Sequence, residues 1–232
     1  MDCGVAIVDG YARARFGKLV HRVHEQSSMS EHADADDLAF DERLPLGLQI
    51  KSGIHFTPIG VARRAARMLA PTPGTTVLDV GAGAGKFCLA AAHEVPHAHF
   101  TGVELRPHLV RLARALGREL RLPNVTFVDG DAFALDWDAF DAFYFYNPFA
   151  EQVSDQDLRL DRNIAHDPET FITALSHVHE RLARARIGTR VVTYHGLGGP
   201  TPLGYELAGN EAAGTGYLKL WIKTRTVVEH GT

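Results

Sequence analysis

Apolar and polar positions along the chain switch repeatedly between a period of two and a period near 3.6, and the switches outline alternating strands and helices. Thr76-Val77-Leu78-Asp79-Val80 is an apolar run broken only by Asp79, the pattern of a central parallel strand covered on both faces. It runs into Gly81, Gly83 and Gly85 and then into Lys86, Phe87, Cys88, Leu89 and Ala90 to Ala92, a helical composition. The stretch predicts strand, tight turn, helix, with the free N–H groups of the helix start facing the turn.

The same pattern repeats downstream. His99 to Glu104, Val125 to Asp129 with its loop to Ala132, Phe140 to Tyr146 and Arg190 to His195 read as further strands. Between them, Pro107 opens a helix whose Leu109, Leu112, Ala113, Leu116 and Leu120 form a buried stripe, and Pro168 opens another with Phe171, Leu175, Val178 and Leu182 on one face. Upstream, Phe56-Thr57-Pro58 predicts a helix with Thr57 as cap and Pro58 at its first position. Tyr205 to Ala208 and Tyr217 to Lys223 alternate as an antiparallel pair around Gly209 to Gly216. The expected fold is α/β: a seven-stranded, mostly parallel, doubly wound sheet closed by an antiparallel hairpin.

Residues 1 to 55 are set apart as an N-terminal extension, and 56 to 232 as the main domain. In the extension, Val5 to Val8 reads as a short strand or helical turn, and Arg13 to Arg22 as a basic patch. Glu25 to Asp37 is polar and acidic, which reads as a mobile loop; its place before the main domain leaves open a lid or substrate-contacting segment.

Composition narrows the classes. The 232 residues suffice for a full core, and 45% hydrophobic with 22% charged residues is ordinary for a globular protein. No run of about 18 apolar residues occurs, and the N-terminus has no basic segment followed by an apolar one, so the expectation is a soluble cytoplasmic protein without membrane contact. The net charge of −4 argues mildly against sequence-independent nucleic-acid binding. Two cysteines and 13 histidines show no zinc spacing, so no metal is expected.

Candidate chemistry concentrates in the glycine turn. A dinucleotide fingerprint needs glycine at 86, where Lys86 stands; a phosphate loop needs glycine at 80 and a hydroxyl at 87, where Val80 and Phe87 stand. What remains is D-x-G-x-G-x-G from Asp79 to Gly85. It resembles motif I of the class I S-adenosylmethionine-dependent methyltransferases. Glu104 ends the next strand about 20 residues on, where a carboxylate accepts bonds from both ribose hydroxyls.

The resemblance covers about residues 56 to 225 and implies S-adenosyl-L-methionine as cofactor. It implies cofactor contacts at Asp79, Gly81, Ala82, Gly83, Gly85, Glu104 and Leu105, with Asp131 and Ala132 serving the adenine. His55-Phe56-Thr57-Pro58 is similar to a segment that touches cofactor in some amino-methyltransferases, which adds Phe56 and Thr57. Asn147-Pro148-Phe149 resembles the [DNS]-P-P-[FYW] motif with one proline missing. Asn147 is therefore a candidate for both cofactor contact and catalysis, with Tyr146 or His195 to take a proton. The acceptor is unidentified: protein side chain, then small molecule, then RNA. A non-catalytic S-adenosylmethionine-binding module is the second function class, and a nicotinamide-dependent oxidoreductase, disfavoured by Lys86 and the hairpin, the third. Oligomeric state is not legible.

Overall fold

A computed structural model describes residues 34–152, 159–161 and 167–227. The expectations for Val5 to Val8, for Arg13 to Arg22 and for the acidic stretch before Asp34 lie outside the described residues.

Among the described residues three short helices come first: α1 (Ala35–Asp41), α2 (Leu46–Gln49) and α3 (Ser52–His55). They lead into α4 (Ile59–Leu69) and then β1 (Thr76–Val80), α5 (Lys86–Glu94), β2 (His99–Glu104), α6 (Pro107–Glu119) and β3 (Val125–Asp129). After two 3-10 turns follow β4 (Ala142–Tyr146), α7 (Pro168–Arg184), β5 (Arg190–Tyr194), β6 (Tyr205–Ala213) and β7 (Gly216–Lys223). One seven-stranded sheet results, in the order β3-β2-β1-β4-β5-β7-β6. The first five strands run parallel, and β7 pairs antiparallel with both β5 and β6. The order reverses between β1 and β4, so the C-terminal strand tips on either side of that switch open a crevice.

Helices cover both faces. On one, α4 and α5 contribute Ala62, Ala65, Ala66, Leu69, Leu89 and Ala91, all buried against the sheet; small alanines let helix and strand backbones approach. On the other, Val178 and Leu182 of α7 pack with Phe143, Phe145 and Val191. Trp137 joins this second cluster, and its indole N–H donates to the Ala132 carbonyl at 2.9 Å. At the far end of α7, the fully buried Lys223 donates to the carbonyls of Leu182 (3.1 Å) and Ala183 (2.6 Å), placing a cation against the negative end of the helix.

Apart from shifts of one or two residues at strand ends, four differences from the sequence expectation stand out. Asp36 and Asp37 lie in α1, not in a loop, and Asp37 is buried. Thr57 does not cap α4: Pro58 is the N-cap residue, Ile59 N–H donates to Asp37 Oδ1 at 3.0 Å, and the Thr57 hydroxyl pairs instead with the Tyr144 hydroxyl at 2.9 Å. A remote carboxylate has taken over the capping role. The hairpin is longer than expected, because the glycines Gly209 and Gly216 sit within strands and the turn is only Gly214-Thr215; the register slips between Leu207 and Gly209. Leu120, assigned to the buried stripe of α6, caps its C-terminus and is 38% exposed.

Candidate active site

The glycine turn after β1 is built by its own backbone. Gly81, Gly83 and Gly85 all have positive φ (81°, 56° and 82°), a region other residues enter at a cost. Gly81 and Ala82 donate their N–H groups to the Val103 carbonyl, at 3.0 and 2.9 Å, and Gly83 donates to Glu104 Oε2 at 3.0 Å. The turn after β1 is thus tied to the tip of β2. A Cβ on Gly85 would come within 2.7 Å of the Phe127 ring and 2.9 Å of Ala113 Cβ, so that glycine also lets α5 settle between α6 and β3.

Glu104 is buried, with its Oε1 accepting from Arg106 N (3.0 Å) and Arg106 Nη1 (3.2 Å). Arg106 Nη2 continues to Glu151, whose other oxygen accepts from the N–H of Leu160 at 2.9 Å. Oε1 is thus filled by its two bonds from Arg106, while Oε2, which accepts from Gly83 alone, keeps a second lone-pair direction.

Beside the turn lies a small open cleft, with about 300 Å³ of space counted out into solvent. Asp79, Gly81, Ala82, Lys86 and Phe87 form its floor; Tyr144 and Tyr146 of β4 form a wall; His55, Phe56 and Thr57 form the roof. The wall is rigid. Tyr144 stacks face to face on Phe87, centroids 3.7 Å apart and planes within 5°, while its hydroxyl holds Thr57.

Asp79 is the cleft's unusual charge. Burial, together with the neighbouring Glu104 carboxylate, pushes its pKa up from 3.8 to about 7, although a 3.5 Å contact from Cys88 Sγ opposes the rise. Burial likewise pushes the Cys88 thiol well up, so it is an inert core group.

Of the sequence-derived candidates, the structure brings Asp79, Gly81, Ala82, Phe56, Thr57 and Tyr146 into this cleft. Gly83 and Glu104 adjoin it through their mutual hydrogen bond. Leu105 (67% exposed), Asp131, Ala132 and Asn147 lie outside its lining, at the tips of β2, β3 and β4 along the same sheet edge. Asp131 caps the 3-10 turn at Ala132, accepting from Phe133 N at 2.9 Å. Asn147 and Phe149 follow β4, and His195 follows β5, all with positive φ (42°, 63° and 63°).

Tyr146, expected from the sequence to take a proton, is held by the roof of the cleft. Its hydroxyl donates to the Ile54 carbonyl at 3.0 Å, and burial beside Tyr194 pushes its pKa up, which is the wrong direction for a base.

Sequence reasoning missed the partners of Lys86. Its Nζ lies 2.8 Å from Asp37 Oδ1, 2.9 Å from Asp41 Oδ1 and 3.2 Å from Ser52 Oγ. The signal was present: a lysine followed by Phe-Cys-Leu-Ala-Ala-Ala has no local counter-charge and must find one elsewhere. Among the described residues no group of three metal-ligating side chains occurs, and no helix is long and apolar enough to cross a membrane.

A parallel sheet with the order 3-2-1-4-5-7-6, an antiparallel last strand and a glycine turn after its central strand is the architecture of a class I methyltransferase. Residues 71–184 match a family model described as a methyltransferase domain. Over those residues, just under half of its length, the chain carries a methyltransferase domain. It is similar, 49% identical over 51 residues, to a tRNA (guanine-N(7)-)-methyltransferase from Synechococcus sp., covering 22% of each chain. It is also 40% identical over 58 residues to a release factor glutamine methyltransferase from Vibrio cholerae, covering 25% of this chain and 20% of that one. The matched stretches thus span about a fifth of these curated relatives. The fold resembles that of an RNA methyltransferase from Salinibacter ruber solved with S-adenosyl-L-homocysteine, at TM-score 0.51 and 23% identity, covering 75% of this chain and 96% of that one.

Proposed function

We propose that this chain is an S-adenosylmethionine-dependent methyltransferase acting on a nitrogen acceptor. The observation that carries the reading is Asp79, a buried acid in the cleft floor whose pKa is pushed up to about 7. Such a group gains most from a ligand that brings positive charge into the cleft, and it repels phosphate. S-adenosylmethionine supplies, when bound, a methyl group on a positively charged sulfur, beside an ammonium.

The residues present fit that ligand. The turn from Gly81 to Gly85 presents backbone without side-chain bulk beneath its amino-acid end. Glu104 offers the remaining lone pair of Oε2 to a ribose hydroxyl, with Leu105 alongside, and Asp131 and Ala132 serve the adenine edge. Phe56 and Thr57 close the cleft from above. Asn147 and the Pro148 carbonyl, held at the β4 tip, orient the acceptor nitrogen. Holding donor and acceptor in line can supply roughly 7–11 kcal/mol of the barrier reduction, so positioning is the main task of these side chains.

The order of acceptors changes from that suggested by sequence alone. The names of the Synechococcus and Salinibacter proteins put RNA first, and that of the Vibrio protein puts a protein side chain second. The test is transfer of a labelled methyl group from S-adenosylmethionine to cell extract treated beforehand with ribonuclease or with protease. Loss of label after ribonuclease supports an RNA acceptor. Calorimetry that finds no binding of S-adenosylmethionine or S-adenosylhomocysteine overturns the whole reading. Full turnover by Asn147→Ala with unchanged cofactor affinity removes Asn147 from catalysis.

A further inference from the structure

The first residue of α5, Lys86, is a cation at the positive end of a helix, and it is 97% buried, its exposure being 3%. Both facts are unfavourable alone. Asp37 and Asp41 of α1 and Ser52 of α3 offset them, meeting Nζ at 2.8, 2.9 and 3.2 Å. The set is closed on itself: Ser52 Oγ also donates to Asp41 Oδ1 at 2.7 Å, and Asp37 Oδ1 also caps the start of α4. Every partner of Lys86 here therefore comes from the N-terminal segment, while Lys86 itself follows directly on Gly85 of the glycine turn.

That segment is also what roofs the cleft. Phe56 lies against Gly83 so closely that a Cβ there would come within 2.7 Å of the ring. Thr57 is held by Tyr144, the Ile54 carbonyl by Tyr146, and Lys51 reaches across to the Arg159 carbonyl. The last three are single hydrogen bonds. The Lys86 set is multiply bonded, and its ammonium is buried.

From this geometry we infer that Lys86, Asp37 and Asp41 form a latch that holds residues 35–57 closed over the glycine turn, so that opening it governs entry and release of the cofactor. Lys86 is a positioning residue: it acts on the ligand through Phe56 and the turn. The inference rests on the cofactor reading proposed above. Because the latch is made of the chain's own residues and not of ligand contacts, it slows passage in both directions and changes equilibrium affinity little.

The test is stopped-flow binding of S-adenosylhomocysteine to the full chain and to Asp41→Asn and Lys86→Arg, with hydrogen exchange of residues 46–57 measured on the same ligand-free proteins. Asp41→Asn keeps the shape and weakens the latch. It is expected to raise association and dissociation rates each about tenfold, leave Kd within about threefold, and speed exchange in 46–57. Lys86→Arg, which retains the charge, is expected to keep exchange and both rates within about threefold of the unaltered protein. Faster exchange with unchanged rates overturns the gating claim, as does a change confined to thermal stability. Unchanged exchange in Asp41→Asn overturns the latch itself. An unaltered protein that keeps 46–57 protected yet binds no S-adenosylhomocysteine overturns the cofactor reading, and the gating claim with it.

Discussion

The two sides of the crevice solve the same steric problem in opposite ways. At the tip of β1 the chain turns through left-handed backbone at Gly81, Gly83 and Gly85, where no Cβ resists. At the tips of β4 and β5 it enters the same region at Asn147, Phe149 and His195, each of which carries a side chain. Asparagine tolerates this, but for phenylalanine and histidine the conformation costs about 1–2 kcal/mol each. Strain of that sort persists where the surroundings over-determine it, as at binding and catalytic edges. Phe149 is held by Phe133 at 5.9 Å between centroids, and His195 by Tyr194 at 4.2 Å and by a hydrogen bond to Thr215 at 3.2 Å. One side is a relaxed cradle, the other a braced edge.

The largest expected blow to that contrast is Gly85→Ala. The alanine meets both a left-handed φ and the Phe127 ring, and should cost about 3 kcal/mol of stability by denaturant unfolding. A loss under 1 kcal/mol would show that the cradle is not sterically bound to glycine.

Next is the acid in the floor of the cleft. Its folded pKa, about 7, lies above the ordinary 3.8, so between these values the folded chain holds a proton that the unfolded chain has lost. Stability therefore falls as pH rises through that window, by up to a few kcal/mol, and Asp79→Asn removes this decline. A bound cation reverses the preference, so affinity for S-adenosylmethionine should rise with pH through about 7, and that rise should vanish in the variant. Calorimetry at pH 6 and pH 8 reads both.

Glu104→Ala comes third, with an expected loss of about 1.5–3 kcal/mol in cofactor binding, or roughly ten- to a hundredfold in Kd. Unchanged affinity would take the ribose role from Glu104. The smallest effect sharpens the braced side: Asn147→Gly should leave stability within about 0.5 kcal/mol, since both residues accept that backbone, while methyl transfer falls. Equal activity would reduce the bracing at β4 to a turn.

The contrast also explains what could be read from the chain alone. The cradle is written locally: Asp79 to Gly85 are consecutive, and Glu104 follows at a fixed distance on the neighbouring strand. The sheet was legible for the same reason, since each strand and helix carries its own period. What was hidden is long-range. Asp37, Asp41 and Ser52 meet Lys86 across 34 to 49 residues of chain, and Tyr146 meets Ile54 across 92. Thr57 has the right type and place for a cap, yet Asp37 took that position and Thr57 was left for Tyr144. Local propensity gave way to a tertiary partner.

The indole hydrogen bond of Trp137 makes the molecule self-reporting. The sequence has two tryptophans, and the indole of Trp137 is tied to the carbonyl of Ala132, in the turn proposed to serve the adenine. Any shift of that short turn alters the polarity felt by a buried fluorophore, so a Trp221→Phe protein would signal occupancy by its emission colour, with no dye attached.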